Sequence, residues 1–196
     1  MTPGNYTVTL TVWNNGCSDD TTFNVTVDAL PTADFASTNE CFGTSNSFTD
    51  LSNPNGGTIT NWNWDFDNNG TVDNTAQNPT NGYPAAGSYT VELLVESSMG
   101  CKDSITKQVI VNPIPNANFS VDTVCFGQIN TFTDLSGISS GNVQSWQWDF
   151  GDGLGVSSGQ NPTYLYGNAG VYPVTLTVTS DSGCINTIID LSLIHI

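Results

Sequence analysis

The stretch WDFDNNGTVDN places Asp65, Asp67, Asn69, Thr71 and Asp73 at alternate positions, with Gly70 between them. That order matches the first nine positions of a twelve-position calcium loop. Oxygen ligands fall at positions one, three and five, glycine at the sharp bend and an apolar residue (Val72) at the eighth. The twelfth position, which should carry a bidentate glutamate, is Ala76. Calcium takes six to eight oxygens, so water or another loop would have to complete its shell. Asp and Asn side chains also close tight turns by accepting hydrogen bonds from nearby backbone amides, with no ion involved. The missing glutamate favours the turn. Weak calcium binding through Asp65, Asp67, Asn69, Thr71 and Asp73 is the other reading.

A related stretch, WQWDFGDGLG, begins at Trp146, 84 residues after its counterpart at Trp62. Its Asp149 and Asp152 lack the extra ligands. Neither acidic pair suits general acid–base work, which needs one carboxyl raised by burial in a cleft. The single histidine, His195, completes no nucleophilic triad, so no catalytic residues are expected.

These stretches sit inside a repeat, sought before local structure. LPTADFAS from Leu30 returns as IPNANFSV from Ile114, and CFGTSNSFTDLS from Cys41 returns as CFGQINTFTDLS from Cys125. AQNPTNGYPAAGSYTVELLV from Ala76 returns as GQNPTYLYGNAGVYPVTLTV from Gly159. The opening PGNYTVTLTVWNNGC matches the end of that unit, so the chain is expected to enter an earlier copy part-way. The expected organisation is a partial repeat over 1–29, a full repeat over 30–113 and another over 114–196. Two strands alone are marginal, so the partial copy should be poorly ordered unless it docks on something.

Tyr89, Val91, Leu93 and Val95 alternate with Thr90, Glu92, Leu94 and Glu96, and the other two copies alternate likewise. A period of two means strands with one face on a core and the other in water. Strands are expected over 33–37, 47–52, 61–67, 88–96 and 102–111. Trp62, Trp64 and Phe66 should point inward, as should Trp146 and Trp148, leaving Asn63, Asp65 and Asp67 outward. Short alternating runs between Gly, Asn, Ser and Pro clusters give an all-β sandwich class.

WDFGDG at Trp148 to Gly153 resembles the signature of the PKD domain, an immunoglobulin-like β-sandwich. NPTYLYGNAGVYPVTLTV resembles that family's ending, and two full copies with a fragment cover nearly the whole chain. Asp67-Asn68-Asn69-Gly70 departs from Gly-Asp-Gly in the first full copy. The resemblance implies tandem non-catalytic modules in an extracellular or cell-surface protein, serving as spacers or adhesive stalks.

Composition sets limits on partners. Two basic residues against 18 acidic ones give a formal net charge of −16. Nucleic-acid binding needs Lys and Arg to displace counterions, so that class is excluded, and an anionic membrane surface is disfavoured. Five Trp, six Tyr and nine Phe mark a folded chain. No apolar window of about 18 residues marks a membrane insertion. Neighbouring repeats, glycans, surface proteins and divalent cations remain compatible partners. The alternative to a spacer is a glycan-binding accessory module of a secreted hydrolase, which exposed aromatic platforms would favour. Trp13, opposite the apolar face of its strand, is one such aromatic.

Cys41 and Cys125 fall between the first two strands of their repeats, while Cys17, Cys101 and Cys184 fall in the last turn of theirs. Pairing within a repeat would join 41 to 101 and 125 to 184. A Greek-key sandwich puts those turns at opposite ends, roughly 20 Å apart, beyond disulfide reach of about 7 Å. A tandem array would instead bring Cys41 towards Cys184. Both pairings and free thiols stay open. The terminal LSLIHI lacks the proline joint that follows the previous copy and reads as non-native.

Overall fold

The computed structural model describes residues 2–194, with side chains described up to Ser192. Among the described residues every regular element is a β-strand. The chain divides into two compact units, one made of Met1–Thr38, Asn46–Asn81 and Ser88–Val109, the other of Asn39–Ser45, Gly82–Gly87 and Ile110–Ile196.

The first unit begins with a ribbon of β1 (Gly4–Asn14) and β2 (Cys17–Val27). Asn15 and Gly16 make its turn with φ of 47° and 84°. Asn-Gly accepts those left-handed values readily and thereby fixes the register. The body of the unit holds two three-stranded sheets. One orders β3 (Phe35–Ser37), β4 (Asn46–Asp50) and β6 (Thr80–Asn81), the other β5 (Ile59–Asp65), β7 (Gly87–Ser97) and β8 (Lys102–Val111). These strands occupy the expected stretches within a few residues. The short β6 gives no pattern of its own.

Alternation explains the core. Val91, Leu93 and Val95 face inward and are fully buried, as are Phe35, Phe48 and Trp64. The Trp64 ring lies edge-on to Phe35 at 5.2 Å and tilted against Phe48 at 5.4 Å. Such offset contacts suit the quadrupoles of the rings. Lys107 reaches across to the Asp34 carboxylate and stands 5.1 Å over the Phe35 ring.

The second unit repeats this plan. β9 (Phe119–Val121), β10 (Asn130–Asp134) and β13 (Thr163–Tyr164) form one sheet. β11 (Val143–Asp149), β12 (Val156–Ser157), β14 (Gly170–Ser180) and β15 (Ile185–Ile194) form the other. Its core gathers Phe119, Phe132, Trp148, Phe150, Tyr166, Val174, Leu176 and Val178. Each sandwich thus closes over its own aromatic cluster.

Residues 39–45 belong to the second unit, although the repeat assigns them to the first full copy. Phe42 N–H donates to Asn112 O and Asn112 N–H to Glu40 O, and a disulfide joins Cys41 to Cys184 with Cα atoms 5.7 Å apart. Cys17, Cys101 and Cys125 are free thiols, so the pairs 41–101 and 125–184 are not formed. Leu191 to Ile194 extend β15 along β14, while His195 lies outside the described residues.

Candidate functional site

β5 ends at Asp65, and the acidic loop that follows closes mainly on that side chain. Asp65 Oδ1 accepts from Asn69 N–H at 3.1 Å and Oδ2 from Gly70 N–H at 2.7 Å. Asn69 Oδ1 accepts from Thr71 N–H at 2.8 Å, and Asp73 Oδ2 from Phe66 N–H at 2.7 Å. Asn68 and Gly70 take left-handed φ of 55° and 86°, which turns the loop over the strand end.

Asp65 is therefore buried, at 6% exposure, and not outward as strict alternation predicts. The folded-back loop covers it. Burial opposes its charge, but the Gly70 and Asn69 amides outweigh that cost and hold the carboxyl below its ordinary value.

Carboxylate oxygens of Asp65, Asp67 and Asp73 lie within 4.8 Å of one another, and Asp67 and Asp73 are exposed. The structure thus brings three of the five sequence-predicted oxygen donors together. Asn69 Oδ1 is committed to the Thr71 amide, and Thr71 contributes that amide to the loop. Both Asp65 oxygens already accept amides, so a cation would have to share them. The loop's N–H groups supply the positive partners that an ion would otherwise provide. A pocket of 140 Å³ lies beside it, lined by Asn63, Asp65, Gly70, Thr71, Val72, Glu92 and Leu94. That is below the roughly 300 Å³ at which small-molecule sites begin.

The equivalent loop of the second unit is wired differently. Asp149 Oδ1 accepts only from Gly151 N–H. Asp152 accepts from the amides of Leu154 and Gly155 and, at 2.6 Å, from the Tyr164 hydroxyl. That hydroxyl holds the Asp152 carboxyl low, and the same bond, with burial, pushes the Tyr164 phenol up to about 12. A low acid against a high phenol is an ordinary structural pair, because neither can exchange a proton near neutral pH.

A repeated feature that sequence reasoning missed lies beneath these loops. Trp62 Nε1–H donates to Asp50 Oδ2 at 2.7 Å, and Gln77 Nε2–H donates to the same oxygen at 3.2 Å. Trp146 and Gln160 meet Asp134 Oδ2 at 2.7 and 3.1 Å. Trp62 and Trp146 are consequently only half buried, clamped at their indole N–H, while Trp64 and Trp148 are fully buried. The signal was present in the sequence: FTDLS precedes W-x-W-D-F by the same interval in both copies.

A family model described as "PKD domain" matches residues 28–113 and 110–192. Pre-pro-metalloprotease PrtV of Vibrio cholerae serotype O1 (strain M66-2) is 40% identical over 73 residues, 37% of this chain and 7% of that protein. Collagenase ColA of Clostridium perfringens (strain 13 / Type A) is 31% identical over 118 residues, 55% of this chain and 11% of that protein. The chain thus spans a small part of the curated relatives it matches. The crystal structure of the PKD1 domain of Vibrio anguillarum Epp is 35% identical with a TM-score of 0.41, covering 43% of this chain and 98% of that one. With two tandem matches over more than half its length, and a sandwich in each unit, the chain belongs to the PKD domain family.

Proposed function

We propose that the chain is a non-catalytic, extracellular spacer within a larger protein, its partners being neighbouring repeats of its own kind. The observation that carries this reading is where the aromatics go. Trp64 and Trp148 are sealed in the cores, and Trp62 and Trp146 are tied at their N–H groups to Asp50 and Asp134. Among the described residues of the two sandwiches no tryptophan is left free to form a stacking platform for a sugar, and the exposed rings Phe42 and Phe126 stand singly in the turns after Cys41 and Cys125. Asp65 and Asp152 serve loop closure, and the bonds that they accept hold both carboxyls below their ordinary value. The Cys41–Cys184 bond supports an oxidising compartment, where such bonds persist.

A second reading, a glycan-binding accessory module, draws on Trp13, which is 73% exposed. The test is co-sedimentation of the chain with insoluble polysaccharides. A spacer stays in the supernatant. Retention that Trp13→Ala abolishes would replace the spacer with the glycan reading.

A further inference from the structure

The β1–β2 ribbon carries a face with no cover. Tyr6, Val8, Leu10 and Val12 share that face with Phe23 and Val25, since Tyr6 pairs with Val25 and Val8 with Phe23. Val8, Leu10 and Val12 are 51, 56 and 54% exposed. Apart from Trp13 near the turn, the opposite face is polar, with Thr7 bonded to Asn24 and Thr26 to Asn5 across the strands. A ribbon so divided has one side built for a core.

What covers such a face is shown twice in this chain. Val91, Leu93 and Val95, and Val174, Leu176 and Val178, occupy the same places in the repeat and are all 0% exposed. In the second unit they pack with Phe119, Phe132 and Trp148, contributed by preceding strands, and with Phe150 just past the last of these. The ribbon matches that unit in register. Val8 pairs with Phe23 as Val174 pairs with Asp190, and Val12 with Asp19 as Val178 with Asn186. At the position of Asp19, Asp103 accepts the Ala33 amide and Asn186 donates to Pro115 O, so this position binds backbone where a repeat's first strand begins.

We propose that this face binds the N-terminal half of a further repeat, joined ahead of Gly4 in the same polypeptide. That half-repeat has the chemistry of residues 33–66: two phenylalanines on short strands and a W-x-W-x-F strand, whose rings seat on Val8, Leu10 and Val12. Asp19 accepts a backbone amide at its first strand. The Pro3-Gly4-Asn5-Tyr6 junction matches Ala169-Gly170-Val171-Tyr172, where the second unit makes the same join.

The experiment fuses residues 114–169 directly ahead of Gly4 of the full chain and follows amide hydrogen exchange in β1 and β2. The expected result is slowing by at least about a hundredfold relative to the unfused chain, because a two-stranded ribbon alone opens readily. Leu10→Asp in the fusion should return exchange to the unfused rate while leaving the other strands protected. A second fusion carrying residues 30–86 guards against one donor failing to fold. Unprotected ribbon amides in both fusions overturn the proposal. So does self-association of the unfused chain in sedimentation that Leu10→Asp abolishes, since the occupant would then be a second copy.

Discussion

Removing the Asp50 carboxylate should weaken the first unit far more than an ordinary surface substitution, and the loss should be shared with Trp62. Asp50 Oδ2 accepts from Trp62 Nε1 and Gln77 Nε2, and Oδ1 accepts from Ser52 N–H at 2.9 Å. A hydrogen bond to a charged group contributes about 1.5–3 kcal/mol. The site is only half buried, so Asp50→Ala is expected to cost about 2–3 kcal/mol, less than three independent bonds would sum to. For a domain of this size each kcal/mol shifts Tm by about 4–8 °C. The decisive measurement is a double-mutant cycle with Trp62→Phe, which deletes the N–H and keeps most of the ring. Urea unfolding is fitted as two transitions, one per unit, with Asp134→Ala and Trp146→Phe as the twin cycle. A coupling of about 1–2 kcal/mol is expected in each. The carboxyl titrates low: burial alone would raise it, but bonds from Ser52, Trp62 and Gln77 outweigh that and lower it from 3.8. A depressed folded value means the contribution is present above the ordinary carboxylate range and fades as pH falls through the folded value. The gap between wild type and Asp50→Ala should therefore be constant from about pH 5 to 8 and shrink below about pH 4. Coupling under about 0.5 kcal/mol in both units, or a gap unchanged down to pH 2, would refute the reasoning.

Three further outcomes are expected. In the second unit, Gly151 has φ of 78° and its Cβ would stand 2.4 Å from Pro173 O, whereas Gly153 has the same φ and open space. Thermal melts should show Gly153→Ala costing about 1 kcal/mol for the left-handed conformation and Gly151→Ala at least about 2, with equal losses ruling out the collision. Thiol titration of the unreduced, denatured chain should count Cys17, Cys101 and Cys125, and reduction should add Cys41 and Cys184. A different unreduced count means another connectivity. A calcium site of about 10⁻⁴–10⁻³ M affinity would add about 0.4–1.4 kcal/mol at 1 mM, or several degrees in Tm. Because the loop amides already occupy the Asp65 carboxylate, calcium should raise Tm no more than magnesium does, and a calcium-specific rise lost in Asp65→Asn would show the contrary.

The fold was legible because period-two alternation is a direct consequence of strand geometry. Tyr-x-Val-x-Leu-x-Val can bury one face only as a strand, and in both sandwiches its Val, Leu and Val are at 0% exposure. Trp64 followed from the same rule. Asp65 did not, because alternation describes a strand in mid-run, and here the chain turns back and covers the outward face with its own loop. Neither did the half-burial of Trp62, which depends on a carboxylate twelve residues upstream rather than on the pleat. The cysteine connectivity was legible in part: the opposed turns of a sandwich pointed to Cys41 with Cys184, the bond that is formed, without excluding the other pairings. Spacing orders the turns along a repeat but does not say which turns lie within about 7 Å.

The two acidic loops argue about function through their differences. Both units need an acceptor for the amides that turn over the end of the W-x-W-D-F strand. In the first unit Asp65, at the strand end, takes the amides of Asn69 and Gly70. In the second unit Asp152, three residues past the strand, takes those of Leu154 and Gly155 and adds Tyr164. Gly151 stands where the first unit has Asp67, and a side chain there would meet the Pro173 backbone. One requirement is thus met from two positions, and the carboxylates end in different arrangements. A ligand used by both units would need the same donors in the same places. What the units do share is the pair of clamps, Asp50 on Trp62 and Asp134 on Trp146, and those hold a β-strand to its own core. The features common to the two copies therefore serve the integrity of each sandwich, and the acidic decoration varies because the fold asks of it only an acceptor.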